Sequence, residues 1–345
     1  MFIDTQMRDI DLRDAGDFAK QLEDVGFDAV WTFEARQDPF LPLIACANAT
    51  ERLEIGTNIA VALARSPFVT AQVAWDLQKA SRGRFHLGLG TQVKAHVVRR
   101  FSMPFDHPAA RITDYIRCVR AIWETFQNDT PANYEGPFYQ YQLITPQLNP
   151  GPIEQPDIPI YLAGVNPRMC RAAGEVADGF HVHPMHTIDY LKEVVRPALD
   201  EGAKMRGMGV DDLKIQTMCW IIASDDQVEI DDKIAQVRQE IAFYGSTPNY
   251  RRLLEFHDYG ALGKELSHKM RNGHYDEMPA MVPDALVDLM TVVAKPVAAG
   301  AAVRQRYEGL LDRVTPYYPL DLTGNGTAQW SSFIAAYKNA IPTTV

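Results

Sequence analysis

The stretch Ser81-Arg82-Gly83-Arg84-Phe85-His86-Leu87-Gly88-Leu89-Gly90-Thr91-Gln92 decides how the rest of the chain is read. It spells a helix end, a tight turn at Arg82-Gly83, a short buried strand, and a loop opened by residues without bulk. Small residues at the C-terminal end of a strand let another molecule approach the backbone there. In a repeating strand–helix chain, that end of the sheet is where ligands bind. Gly88-x-Gly90 is not the dinucleotide fingerprint, because Val93 stands where the third glycine belongs.

Outward from this strand, the same alternation recurs. Strand-length apolar segments are Phe27–Trp31, Leu53–Ile59, Phe85–Leu89, Ile158–Leu162, Gly179–His183 and Ile215–Ala223. Helical stripes lie between them. Leu12, Ala15, Phe18, Ala19, Leu22 and Val25 form one, and Ile112, Tyr115, Ile116, Val119, Ile122, Trp123 and Phe126 another. Ser66-Pro67 and Asn166-Pro167 are N-cap and N1 pairs, and a further helix follows Thr187. A βα repeat implies a parallel sheet. With a truncated first strand at Phe2–Thr5 and a last one near Arg313–Tyr318 the count is eight, which predicts a closed (β/α)8 TIM barrel. The reading is of one domain over 1–345, with insertions at about 130–156 and 245–283. The first insertion, rich in prolines and aromatics, reads as a hairpin excursion. The second reads as a mobile segment or lid.

Composition sets bounds. The 345 residues, 46% hydrophobic, suffice for a barrel of roughly 250 residues with insertions. A net charge of −10 argues against nucleic acid, which needs a clustered basic face. The four cysteines, Cys46, Cys118, Cys170 and Cys219, form no CxxC pair and read as buried hydrophobes in a reducing compartment. No signal-peptide core follows Met1, and no apolar run approaches the ~20 residues of a membrane span. The expectation is a cytoplasmic protein without a membrane or nucleic-acid partner.

Four loops after predicted strands carry the candidate chemistry. Trp31–Phe40 places Glu34, Arg36, Gln37 and Asp38 directly after a buried strand, with Asp38 a cap for a helix starting at Pro39. Gly56-Thr57-Asn58-Ile59 breaks a strand-like run and suggests a bulge or a plain strand end. Gly90-Thr91-Gln92 closes the opening stretch. Ala163-Gly164-Val165-Asn166-Pro167 runs into a helix N-terminus, whose free N–H groups and dipole favour an anion, although an ordinary capped helix starts the same way. His181-x-His183 lacks the further histidines and aspartate that barrel metallohydrolases carry, so no metal site is expected, and one histidine at the mouth touching substrate is the stronger reading. No Gly-x-Ser-x-Gly elbow supports a serine hydrolase. Arg99-Arg100 reads as a solvated face.

Taken in order, Gly26-Phe27-Asp28-Ala29-Val30-Trp31, Leu53-Glu54-Ile55-Gly56-Thr57, Gly83 to Gly90, Ala163-Gly164-x-x-Pro167 and Ala177-Asp178-Gly179 resemble the bacterial-luciferase-like flavin and deazaflavin oxidoreductases, most of all their coenzyme F420-dependent branch. The resemblance implies a homodimeric barrel with the cofactor ring at its C-terminal mouth. Position by position, it implies a non-prolyl cis peptide at Asn58–Ile59, contacts to the ribityl chain from Thr91 and Gln92, a phosphate cradle from Ala163, Gly164 and Val165, and a neighbouring contact from Gly179. Where F420 enzymes carry an acid followed by histidine, this chain has Glu34 followed by Ala35. Glu34, Gln37 and His183 are therefore the catalytic candidates. The implied activity is hydride transfer between the deazaflavin C5 and a small organic substrate. The missing histidine disfavours alcohol oxidation, which needs a base, and leaves reduction of an electron-poor substrate. The alternatives are an FMN-dependent monooxygenase and a non-catalytic flavin-binding barrel.

Overall fold

The computed structural model describes residues 1–318 and 320–340. Eight parallel strands close into a ring: β1 (Phe2–Gln6), β2 (Ala29–Thr32), β3 (Glu54–Thr57), β4 (Phe85–Gly90), β5 (Ile160–Gly164), β6 (Gly179–Val182), β7 (Lys214–Ala223) and β8 (Arg313–Pro316). Each pairs with its neighbours in sequence, and β8 returns to β1 through Phe2↔Arg313 and Ile3↔Val314. The protein is a (β/α)8 TIM barrel. Thr291–Ala294 adds a parallel strand beside β7, outside the ring.

The predicted helices form where their caps lie. Ser66 accepts the Val69 N–H at the head of Pro67–Ala80, and Asn166 accepts that of Met169 at the head of Pro167–Val176. Thr187 accepts the Tyr190 N–H in the same way. Asp38 is not a helix cap. It binds the Phe40 N–H within the loop, and the helix runs Leu41–Ala49. The first insertion holds a small hairpin, Tyr134–Glu135 against Gln140–Tyr141, anchored where buried Asp114 accepts the N–H groups of Phe138 and Tyr139. The second is built of short helices. Helices Arg251–Phe256 and Gly260–Arg271 bury Leu253, Leu254 and Leu266. Among the described residues no helix is long and apolar enough to cross a membrane.

Outside the ring, the helices pack an aliphatic and aromatic core on the strands. Inside it, the filling is unusual for this architecture, whose barrel layers are mostly Val, Ile and Leu. Trp31, Tyr161, His86 and His181 pack at centroid distances of 4.8–5.8 Å, edge to face except for the stacked Tyr161–His181 pair. At the N-terminal base, Arg313 bonds Asp4 twice, at 2.7 and 2.9 Å, and reaches Glu54 at 2.6 Å. Trp31 Nε1 donates to Asp4, and His86 meets Glu54 at 3.1 Å. Burial works against the Glu54 charge, but His86 and Arg313 outweigh it and hold the carboxyl at about 2.

Candidate functional site

A cavity of about 280 Å³ opens at the C-terminal ends of the strands, where this fold builds its sites. It borders a shallower depression formed by the loops after β1 and β2, with Arg8 and Phe33 shared between the two.

The floor is set by the chain between β3 and the short segment Ala60–Val61, which resumes pairing with β4. The Asn58–Ile59 peptide bond is cis, as the resemblance implies. Its surroundings fix this segment from both sides. The Asn58 N–H donates to Thr32 O at 2.6 Å, and Ile59 O accepts from the Glu34 N–H at 3.0 Å. The Asn58 side-chain amide donates to Gln216 Oε1, which also meets His181 Nδ1 at 2.7 Å. Gln216 Nε2 in turn donates to Thr315. Gly88 is required here, because a Cβ would collide with Thr57 O and come within 2.6 Å of His181 Nε2. Burial pushes His181 down to about 3, so the ring is neutral.

Glu34 lines the cavity, yet its carboxylate is engaged. It accepts the Val61 N–H at 2.7 Å and pairs with Arg65, whose other nitrogen holds Asp38 at 2.8 Å. This clamps the β2 loop to the segment after the cis bond. Gln37 lies elsewhere: it is exposed, hydrogen-bonds Ile10 O at 3.4 Å, and lines only the outer depression. Beside it, the exposed Arg36 pairs with Asp9.

His183 does line the cavity, with the Tyr244 and Tyr250 rings at 4.5 and 4.6 Å. The Met185 N–H donates to its Nδ1, which assigns the ring proton to Nε2. Burial pushes this histidine down to about 3. In the neutral form this favours, its Nε2–H is a hydrogen-bond donor. Tyr244 and Tyr317 complete the wall, their hydroxyls 3.0 Å apart, and burial raises both phenols so that they stay protonated.

Of the residues expected to touch a cofactor, Asn58, Ile59, Gln92, Ala163, Gly164 and Val165 line this one cavity. Thr91 is adjacent in sequence but outside the lining. Gly179 is at the other end of the barrel, at the start of β6. A Cβ there would strike the Tyr161 ring and Lys214 O, so packing at the base explains the glycine, and a cofactor contact does not. The His181/His183 pair is likewise divided between the amide network and the aromatic wall. No group of three metal-ligating side chains occurs among the described residues.

Sequence reading missed Arg8, Gln216, Tyr244 and Tyr317. Gln216 left a signal, as a lone amide in an apolar strand of inward–outward alternation. The others come from a strand end, a helix and the barrel's closing strand, and only the closed ring brings them together.

The model of the luciferase-like monooxygenases matches residues 3–313. The chain belongs to that family. An uncharacterized protein of Mycobacterium tuberculosis is 42% identical over 304 residues, covering 88% of this chain and 89% of that one. A putative coenzyme F420-dependent oxidoreductase of the same organism is 30% identical over 292 residues, covering 79% and 81%. Among solved structures, the coenzyme F420-dependent tetrahydromethanopterin reductase of Methanopyrus kandleri has the same fold. It superposes with a TM-score of 0.75 at 21% identity over 96% of both chains.

Proposed function

We propose that this luciferase-like protein is a coenzyme F420-dependent oxidoreductase that reduces a small organic substrate by hydride transfer. The observation that carries this reading is the single cavity lined by Asn58, Ile59, Gln92 and Ala163–Val165, in a chain 30% identical to a putative F420-dependent enzyme. The residues fit the cofactor. The Ala163–Val165 wall leads into the N-terminus of helix Pro167–Val176, whose dipole favours a phosphate, with the Arg168 N–H as the donor its first turn still offers. Opposite it, the Asn58–Ile59 backbone and the aromatic wall bound a space suited to a flat ring.

When bound, F420 supplies the two-electron hydride chemistry. The chain's own part is orientation and proton supply. His183 Nε2–H binds a substrate oxygen without changing charge. The Tyr244–Tyr317 pair offers a protonated hydroxyl beside it. Donors without a free base suit reduction better than alcohol oxidation. Glu34 is a positioning residue, acting through Arg65 and the Val61 N–H. Gln37 takes no part.

Two further elements belong to the same proposal. Pairing of two copies is supported by exposed Leu41, Ile44 and Val69 on the adjacent helices Leu41–Ala49 and Pro67–Ala80. A cytoplasmic setting is supported by four free, buried cysteines.

The family's monooxygenase description favours a second reading, FMN with oxygen as co-substrate. Fluorescence titration with F420 and with FMN, followed by oxygen uptake in the presence of reduced FMN, separates the two. Tighter F420 binding without FMN-dependent oxygen uptake is expected. The reverse result assigns FMN.

A further inference from the structure

Arginines on and around the loops after β1 and β2 differ in their partners, and of these Arg8 alone lines the cavity. Arg36 pairs with Asp9, Arg65 with Glu34 and Asp38, and Arg100 donates to the Ala35 carbonyl. Arg8 has no carboxylate within 4.0 Å among the described residues. Its guanidinium lies instead between two aromatic faces, 5.4 Å from the Phe33 centroid and 5.1 Å from that of Tyr317. Arg8 also engages the Tyr317 hydroxyl, and with no carboxylate on it the remaining N–H groups of the fork are left for a ligand. Arg8 lines both the cavity and the outer depression, so the fork borders solvent on one side and the site on the other.

Position in the ring says which end of the site this is. Arg8 follows β1, and four strand pairings separate β1 from β5 around the barrel in either direction. The Ala163–Val165 wall follows β5. Arg8 therefore lies across from the wall assigned to the cofactor phosphate and beside Tyr317, whose hydroxyl meets that of Tyr244, the ring packed on His183. Burial raises the carboxyl of Glu240, one helical turn before Tyr244, outweighing the Tyr317 hydrogen bond and the Arg8 charge that lower it.

The geometry points to Arg8 as the residue that selects the substrate: it binds the carboxylate of a small monoanionic organic acid whose reducible group then lies against His183 and the Tyr244–Tyr317 pair. This rests on the F420 reading for the reaction, but not for the binding. One stacked guanidinium with an acid nearby balances a single negative charge, which favours a carboxylate over a phosphate dianion. A planar fork and a carboxylate match in a two-point contact.

The test is calorimetric titration with benzoate, cinnamate and 2-hexenoate, each against its own primary amide, on ligand-free and on F420-saturated protein. At least one acid is expected to bind ten times more tightly than its amide. Arg8→Met is expected to abolish that preference while leaving the circular dichroism spectrum unchanged. Arg8→Lys, which keeps the charge without the stacking plane, is expected to retain part of it. Equal binding of acid and amide to wild-type protein, no binding of any acid, or an unchanged preference in Arg8→Met would each overturn the assignment. Should F420 fail to bind while the acid preference holds, the cofactor reading falls and the Arg8 assignment stands.

Discussion

The two ends of the barrel use polar residues in opposite ways. At the base, Asp4, Glu54, His86 and Arg313 are tied to one another, and Asp4 and Arg313 are all but sealed from solvent. At the mouth, Arg8, His183, Tyr244 and Tyr317 keep donors in reach of a cavity. Similar chemistry serves stability at one end and ligand binding at the other. Local pairing distinguishes them: a charge whose partners are supplied by the fold is structural, and one left with aromatic faces waits for a ligand.

Breaking the base should produce the largest effect. Arg313→Met leaves Asp4 buried without its cation and should cost about 3–5 kcal/mol of unfolding free energy. Denaturant unfolding measures it, and a loss below 1 kcal/mol would show that the network contributes little.

The buried histidines can be probed with pH. Burial holds His181 and His186 at about 3 and about 4 in the folded chain, against 6.5 when unfolded. Between these limits the unfolded chain takes up protons that the folded one refuses. Stability is thus intact above pH 6.5 and declines as pH falls toward 4. Near pH 5 these two histidines give a slope approaching about 2.7 kcal/mol per pH unit, and His183, also held at about 3, raises the total toward about 4 kcal/mol per pH unit. A flat profile from pH 6.5 to 5 would contradict their neutral burial.

Mouth variants should move binding more than stability. Gly164→Val brings a branched side chain to the phosphate wall, where even a Cβ would lie 2.5 Å from Met169 Cγ. F420 affinity should fall at least tenfold, or about 1.4 kcal/mol. Unchanged affinity in a folded variant would remove the cradle from this loop. Glu34→Gln should have the smallest effect. It keeps an acceptor for the Val61 N–H but weakens the Arg65 pair, so about 1 kcal/mol of stability goes, and substrate turnover falls through misplacement of the floor. A pH-dependent loss of turnover in this variant would instead make Glu34 a proton-transfer group.

The same contrast explains what could be read without coordinates. All eight barrel strands were legible within a residue or two, because apolar runs, caps and turn glycines are local signals. The mouth segments after β3, β4 and β5 were legible too, through residues without bulk at strand ends. Gly179 misled because a glycine required by a neighbour's ring looks, in sequence, like one required by a ligand. Gln37 misled because its partner, the Ile10 carbonyl in the outer depression, lies 27 residues away in sequence. Arg8 and Tyr317 were invisible for the same reason. Nothing near Arg8 in sequence says that β8 will bring an aromatic face to it.

The central claim is that the open end is the reactive end. A crystal structure of the protein with F420 tests it most directly. The account predicts the deazaflavin ring against the Asn58–Ile59 peptide, the phosphate at Ala163–Val165, and Arg8 free on the opposite side. A ring lodged outside this mouth, for example in the separate cavity between Ala223, Tyr318 and Trp330, would contradict it.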